Sequence, residues 1–253
     1  MILEAPAKLT LSLRVTGVRD DGYHLIDAEM VALAIADTVT IVDWPETDNL
    51  ITVTGPFAEG VPTDETNLVH RALALTGRTA YVSIDKQIPH GGGLGGGSTD
   101  AAAILRWAGF DDTVAAARIG ADVPFSLHGG RARVTGIGEH VEPLAHVSRD
   151  ITLLIPPVHV PTPLVYRTWD EMGGPVGDND NDLEPAAIAA VPELAVWRDR
   201  IADAVGARPR LAGSGATWFV EGHVGDPSDV SGRVPGLVLV HTTTRPDAGR
   251  VVA

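Results

Sequence analysis

Twelve residues, Pro89-His-Gly-Gly-Gly-Leu-Gly-Gly-Gly-Ser-Thr-Asp100, six of them glycine, constrain this chain more than any other stretch. Glycine has no Cβ, so it enters left-handed backbone conformations and lets N–H groups approach a ligand closely. A helix beginning just after such a run adds the positive end of its dipole, and loop and helix together make an anion cradle. The flanks point to an ordered cradle. Ala80 to Ile84 alternates as a strand does, and Ser98 or Thr99 is expected to cap a helix through Asp100-Ala-Ala-Ala-Ile-Leu-Arg-Trp107.

Spacing separates the competing readings of this loop. A P-loop places lysine and then serine or threonine directly after its last glycine, whereas Gly97 is followed by Ser98-Thr99. Gly91-x-Gly93-x-x-Gly96 satisfies the dinucleotide pattern, but six glycines in seven positions match many patterns. That fold also needs a strand running straight into the first glycine, and here Asp85-Lys-Gln-Ile-Pro89 intervenes. A flexible linker would repeat Ser and Gly without a strand and helix around it.

At 253 residues the chain can hold one domain or two of roughly 100 to 150 residues, and two are expected, with a boundary near Asp150. It has no cysteine, which removes disulfides and thiolate metal sites. The N-terminus lacks the basic start and apolar run of a signal peptide, and no apolar stretch reaches membrane-spanning length. A soluble cytoplasmic protein without a membrane partner is expected. A net charge of −14 argues against nucleic-acid binding, which relies on clustered Lys and Arg.

An anionic ligand therefore needs local positive charge. Of 19 basic residues only Lys8 and Lys86 are lysine. A chain that otherwise uses arginine keeps an ammonium where a compact point charge is needed and a planar fork does not substitute. Lys86 lies just before the glycine loop, and Lys8 lies in the extended segment Ala5-Pro-Ala-Lys-Leu-Thr-Leu-Ser-Leu13.

Along the rest of the chain strands and helices alternate, without internal repeats. Leu9 to Val15, Thr38 to Val42, Ile51 to Val53, Val134 to Val141, Ile151 to Ile155 and Leu237 to His241 have strand character. Thr66 to Leu75 and Glu193 to Val205 have helical spacing. The texture changes after Pro156-Pro157, where Val160-Pro-Thr-Pro-Leu-Val-Tyr166 and an acidic loop at Gly177 to Asp182 precede a second glycine turn, Ala212-Gly-Ser-Gly-Ala216.

Three separated segments, Pro6-Ala-Lys-Leu-Thr-Leu11, Pro89 to Ala102 and Leu211-Ala-Gly-Ser-Gly-Ala216, resemble the GHMP kinases, small-molecule kinases that use a glycine-serine loop in place of a P-loop. Four more narrow the resemblance to the branch that phosphorylates 4-diphosphocytidyl-methylerythritol. They are Val15 to His24 with its Asp-Gly-Tyr-His ending, Gly120-Ala-Asp-Val-Pro-Phe125, Val160 to Tyr166, and Asn181-Asp-Leu-Glu184. The resemblance spans most of the chain. It implies an α+β fold in two domains. Residues 1–150 form an ATP-binding α/β domain of the ribosomal protein S5 domain 2-like type, and residues 151–253 a ferredoxin-like α/β domain on the substrate side.

The implied reaction moves the γ-phosphoryl group of ATP to the 2-hydroxyl of that substrate in the non-mevalonate route to isoprenoids, with Mg²⁺ as cofactor and a monomer or weak homodimer as the working form. Asp122 matches the family's catalytic aspartate and Lys8 its paired lysine, residue types suited to handling a hydroxyl proton and γ-phosphoryl charge. On local preference alone, Asp122 is equally a helix cap before Pro124. Pro89, Gly91, Gly92, Gly93, Leu94, Gly95, Gly96, Gly97, Ser98 and Thr99 match the ATP loop, and Lys86 and Asn67 match adenosine-side positions. Thr10, Tyr23, His24, Thr162, Tyr166, Gly213 and Ser214 match substrate contacts, with Tyr23, His24 and Tyr166 around the cytosine. Without the resemblance Tyr23-His24 reads as ordinary turn residues. Mg²⁺ keeps its waters and rides on phosphates, which leaves Ser98 or Thr99 as its nearest protein ligand and no dedicated metal cage.

The chain departs from the family pattern in several places, the acidic loop and C-terminal region, which are trimmed, among them. Thr10 stands where asparagine is usual, and His90 where an apolar residue is usual. The interval up to Gly120 is roughly one helix shorter, so that Asp111 to Ile119 must make the whole return to Asp122. A different GHMP kinase would keep Lys8, the loop and Asp122 but not Tyr23, His24 and the Thr162 to Tyr166 segment. A non-catalytic relative would bind ATP without turnover.

Overall fold

The computed structural model describes residues 1–43, 48–89 and 91–252. Two long strands organise it: β1 (Ile2–Val18) and β2 (His24–Asp43) pair antiparallel along almost their whole length. Arg19 N–H to Tyr23 O (2.8 Å) closes the turn between them, and Gly22 takes it at φ 85°, a conformation costly for other residues. The register of β1 shifts between Pro6 and Lys8, between Thr10 and Ser12, and between Val15 and Gly17. Bulges bend a strand and re-aim its side chains. The first two flank Lys8 and Thr10.

β2 is the hub. It also pairs with β4 (Ala80–Asp85), with β5 (Arg131–Gly136) and, near its middle, with β10 (Val238–Arg245). β3 (Leu50–Thr54) runs parallel to β4, and α1 (Leu68–Thr76) makes the crossover such a pair requires. Asn67 starts α1 by accepting the Val69 N–H, and Gly77 ends it at φ 62°. Three further helices follow: α2 (Gly96–Trp107), α3 (Thr113–Ala117) and α4 (Val123–His128). Ala101, Ala102 and Ala103 are fully buried, small residues that seat α2 in a core with Leu73, Val82 and Ile84.

Val134 to Val141, expected as one strand, is instead the hairpin of β5 and β6 (His140–Leu144), with a turn where Gly136 and Gly138 take positive φ. The second half holds β7 (Asp150–Ile155), β8 (Arg210–Leu211) and β9 (Trp218–Glu221). Its helices are α5 (Thr162–Glu171), α6 (Glu184–Ala190), α7 (Glu193–Val205) and α8 (Pro227–Arg233). β10 pairs with β7 along Val238–Thr243 and with β2 at Thr244 and Arg245, which joins the strands into one sheet path. One core cluster crosses the join, uniting Leu13, Met30 and Phe125 with Leu154, Val165 and Trp218. The site is built where these parts face each other.

Candidate active site

In the glycine loop, Gly93 and Gly95 sit at φ 77° and 70°, and neither has room for a side chain. A Cβ on Gly93 would lie 2.7 Å from Gly215 O, and one on Gly95 2.7 Å from Lys8 Cγ. The loop is stitched to its surroundings by Thr217 N–H to Gly92 O (3.2 Å) and Lys8 N–H to Leu94 O (3.0 Å). α2 begins at Gly96, so Ser98 and Thr99 fall inside its first turn and do not cap it. Gly95 takes the cap position with no side-chain hydrogen bond, and the first intrahelical bond is Thr99 N–H to Gly95 O (2.9 Å). The N–H groups of Gly96, Gly97 and Ser98 precede that bond, where a helix leaves donors for an anion. A capping side chain would have occupied them. A cavity of about 300 Å³ opens here, lined by Asn67, Lys86, Gly93, Gly96, Ser98 and Asp100 among others.

Behind the loop, Lys8 Nζ lies 3.1 Å from Asp122 Oδ2 and 3.3 Å from Thr10 Oγ1. Asp122 occupies the N-cap position of α4 but makes no capping hydrogen bond. Its carboxylate is given to the lysine, which sets aside the cap reading. The five-residue α3, started by Asp112 accepting the Ala115 N–H (3.0 Å), is enough to return the chain to Gly120 and Asp122. Lys8, Thr10, Asp122, Thr162, Tyr166 and Ser214 are among the residues lining a central cavity of about 170 Å³.

A third cavity, of about 640 Å³, continues outward past Tyr23, His24, Tyr166, Arg167 and Asp170. The segment from Thr162, for which no helix or strand is expected, is the helix α5, because Pro163 in its first turn lacks an N–H that a helix start does not need. Thr162, Tyr166 and Asp170 follow at intervals of four and so share one helical face. Thr162 Oγ1 hydrogen-bonds Ser214 Oγ (2.8 Å). The His24 ring packs on Tyr166 (centroids 4.6 Å) and edge-on to Trp169 (5.6 Å), and His24 Nε2 meets Asp170 Oδ1 at 2.8 Å. Burial, with the Asp122 charge adding, pushes the Tyr166 phenol up to about 12. Tyr23 is 59% exposed at the rim.

Lys86 is buried between two carboxylates, bonded to Asp37 and, at 2.7 Å, to Asp100. Burial pulls this lysine's pKa down, but Asp100 and Asp37 outweigh it and hold the ammonium above its ordinary value. Asp100 is raised to about 7, by burial first and by Asp37, against the pull of Lys86. Asp37 also accepts the N–H groups of Gln87 (2.6 Å) and Ile88 (2.8 Å). The cluster therefore ties β2, the approach to the glycine loop and α2 together.

Residues 67–130 match the GHMP kinases N terminal domain. The 4-diphosphocytidyl-2-C-methyl-D-erythritol kinase of Paracoccus denitrificans is 38% identical over 234 residues, 85% of this chain and 84% of that one. The chain belongs to the 4-diphosphocytidyl-2-C-methyl-D-erythritol kinase family. A member from Granulibacter bethesdensis is 37% identical, over 85% of this chain and 83% of its own. A crystal structure of a 4-(cytidine 5'-diphospho)-2C-methyl-D-erythritol kinase matches with a TM-score of 0.74 and 29% identity, covering 96% of this chain and 99% of that one. Homoserine kinase from Cytophaga hutchinsonii, at a TM-score of 0.62 and 16% identity over 98% and 97% of the two chains, shares the fold.

With the family in hand, the expected site residues sort by cavity. Asn67, Lys86, Gly91, Gly93, Gly95, Gly96, Gly97 and Ser98 line the first; Lys8, Thr10, Asp122, Gly213 and Ser214 the central one; Tyr23 the outer one; and His24, Thr162 and Tyr166 both of the last two. Pro89, Gly92, Leu94 and Thr99 line none of the three. Leu94 is a core residue, Gly92 accepts the Thr217 N–H just beyond the second glycine turn, and Pro89 lines a separate apolar cleft with Phe57 and His159. His90 lies outside the described residues.

The sequence reading missed Asp37, Asp100 and Asp170 as partners. It also missed Asn181 as the strut that donates to Leu211 O (2.9 Å) and Gly213 O (2.7 Å) beneath the second glycine turn. Only Asp170 carried a usable signal, its spacing from Thr162 and Tyr166.

Proposed function

We propose that this protein transfers the γ-phosphoryl group of ATP to the 2-hydroxyl of 4-diphosphocytidyl-2-C-methyl-D-erythritol, giving the 2-phosphate and ADP. One observation carries the reading: the three cavities share walls in series. Gly93 borders both the first and the central cavity, and His24, Thr162 and Tyr166 border both the central and the outer one. A donor held at the glycine loop and an acceptor entering from the Tyr23 side meet beside Lys8 and Asp122.

In this reading the free N–H groups at the start of α2 hold the phosphates. Asp122 accepts or steers the hydroxyl proton, and the Lys8 ammonium, 3.1 Å away, holds its carboxylate in place and offsets charge on the transferring group. Tyr23 and His24 select the base, Tyr166 backs His24, and Thr162 with Ser214 shapes the wall for the methylerythritol. We assign the ATP side to residues 1–150, and Thr162, Tyr166 and the second glycine turn to 151–253.

Among the described residues no group of three or more His, Cys, Asp or Glu is placed to hold a metal ion. Thr99 is buried away from the nucleotide cavity, whereas Ser98 lines it at the start of α2, a hydroxyl that fits a phosphate-borne Mg²⁺. When bound, Mg²⁺ neutralises phosphate charge. Among the described residues no helix is long and apolar enough to cross a membrane. A soluble cytoplasmic monomer or weak homodimer acting on a small molecule is the setting we propose.

The test is Mg²⁺-dependent ADP release by the purified protein with 4-diphosphocytidyl-2-C-methyl-D-erythritol, beside homoserine, mevalonate and sugar alcohols. Stimulation by the cytidine compound alone supports the reading. Turnover of another alcohol, or ATP binding with no turnover on any, overturns it.

A further inference from the structure

Asp170 stands outside the residues that transfer phosphate, yet it holds one that lines the acceptor cavity. Its carboxylate meets His24 Nε2 at 2.8 Å. The imidazole is 10% exposed, packed on Tyr166 and edge-on to Trp169, so its plane is fixed from three sides by α5. Trp169 is itself held through Nε1–H to Pro175 O (2.9 Å). A carboxylate only accepts, so Nε2 carries the proton, and a neutral ring then presents Nδ1 as a bare acceptor. Among the described residues Nδ1 has no hydrogen-bond partner, and His24 lines both the outer and the central cavity.

We infer that Asp170 is a positioning residue that selects cytosine over uracil by holding His24 in the Nε2–H tautomer. The inference deepens the function proposed above and rests on its cytidine-binding cavity. Cytosine carries an amino donor at position 4 where uracil carries a carbonyl acceptor. An Nδ1 lone pair accepts from the first and faces a lone pair of the second, so the wrong base leaves two acceptors opposed beside a largely buried imidazole. With Asp170 gone the ring is free to protonate at Nδ1 and donate to a carbonyl. Discrimination then falls while the stacking surface stays.

The experiment measures CDP and UDP affinity by calorimetry at neutral pH for the wild type, Asp170→Ala and Asp170→Asn, with ¹⁵N NMR of the His24 ring. In the wild type CDP is expected to bind at least tenfold more tightly than UDP, with the NMR pattern of an Nε2–H tautomer. Asp170→Ala should collapse the CDP to UDP ratio toward one and mix the tautomers. Asp170→Asn should lower the ratio as well, since its amide NH₂ can donate to a bare Nε2 and hold the ring in the Nδ1–H tautomer. A retained ratio in Asp170→Ala, or an equal weakening of both nucleotides, overturns the inference while leaving the cytidine reading intact. An Nδ1–H tautomer in the wild type overturns it without recourse to any variant. A wild type with no preference for CDP defeats the cytidine reading itself.

Discussion

Lys8 Nζ and Asp122 Oδ2 stand 3.1 Å apart, and the two side chains differ in exposure: 7% for the lysine and 28% for the aspartate. The ammonium is enclosed between β1 and the glycine loop, where Gly95 leaves just enough space for its stem. The carboxylate keeps an open side toward the central cavity. The cation thus holds one side of the carboxylate while the other faces the cavity.

Asp122→Asn should lower kcat on the order of a thousandfold while leaving the Kd for ATP unchanged. Lys8→Met should act similarly, and the double variant should cost little more than the larger single loss, because the two groups act as one unit. Single-turnover rates on the three proteins give the comparison. Fully multiplicative losses would mean that the two residues work independently.

Two glycines of the same loop should respond in opposite directions to alanine. Gly95→Ala forces a left-handed φ of 70° on a residue with a side chain and drives Cβ to 2.7 Å from Lys8 Cγ. A loss of about 2 to 4 kcal/mol in stability is expected from strain and overlap together. Gly97 lies within α2 without a positive φ, and its nearest neighbour for a Cβ is Leu68 Cδ1 at 3.8 Å. Gly97→Ala should be neutral or stabilise by about 0.5 kcal/mol through the unfolded chain. Urea titrations of both variants decide it.

Lys86→Met leaves Asp37 and Asp100 facing each other without their shared cation, and a loss of about 3 to 5 kcal/mol is expected. The same cluster predicts a pH dependence. The folded protein holds the Asp100 proton up to about 7, against an ordinary 3.8. Between those values the folded state binds more protons than the unfolded chain, so the contribution of Asp100 is full at the acid end and is lost as pH rises toward 7. Wild type should lose more stability than Asp100→Asn between about pH 5 and pH 8. Parallel profiles for the two would remove Asp100 as the titrating group.

Legibility in the sequence followed how local the cause was. The glycine loop and α7 over Glu193–Val205 could be read directly, because glycine content and helical spacing act within a few residues. The start of α2 was misplaced, since Ser98 and Thr99 are good caps and only the tertiary approach of Lys8 explains a glycine at the cap position. Lys86 could be singled out by its rarity, but its partners lie 49 and 14 positions away and no pattern links them. The extent of β2 escaped for a related reason. Ile26 to Met30 alternates, but Met30 to Leu33 is buried without alternation, so no continuous local pattern joins that stretch to Thr38–Val42.

Tyr166 offers the sharpest separation of packing from chemistry. Its phenol is pushed up to about 12, by burial first and by the Asp122 charge second, so it stays protonated and neutral at any working pH. On the proposed function it serves as a ring and exchanges no proton. Tyr166→Phe should leave kcat and its pH profile within about twofold, because the stacking face against His24 at 4.6 Å is kept. Tyr166→Ala removes that face and lets the imidazole tilt. The KM for the cytidine substrate should rise roughly tenfold with the KM for ATP unmoved, and Tyr23→Ala, taken from the exposed rim, should show the same split. Initial-rate kinetics with each substrate varied in turn measure it. A rise in both KM values would place these rings in the fold of the site and not in the recognition of the base.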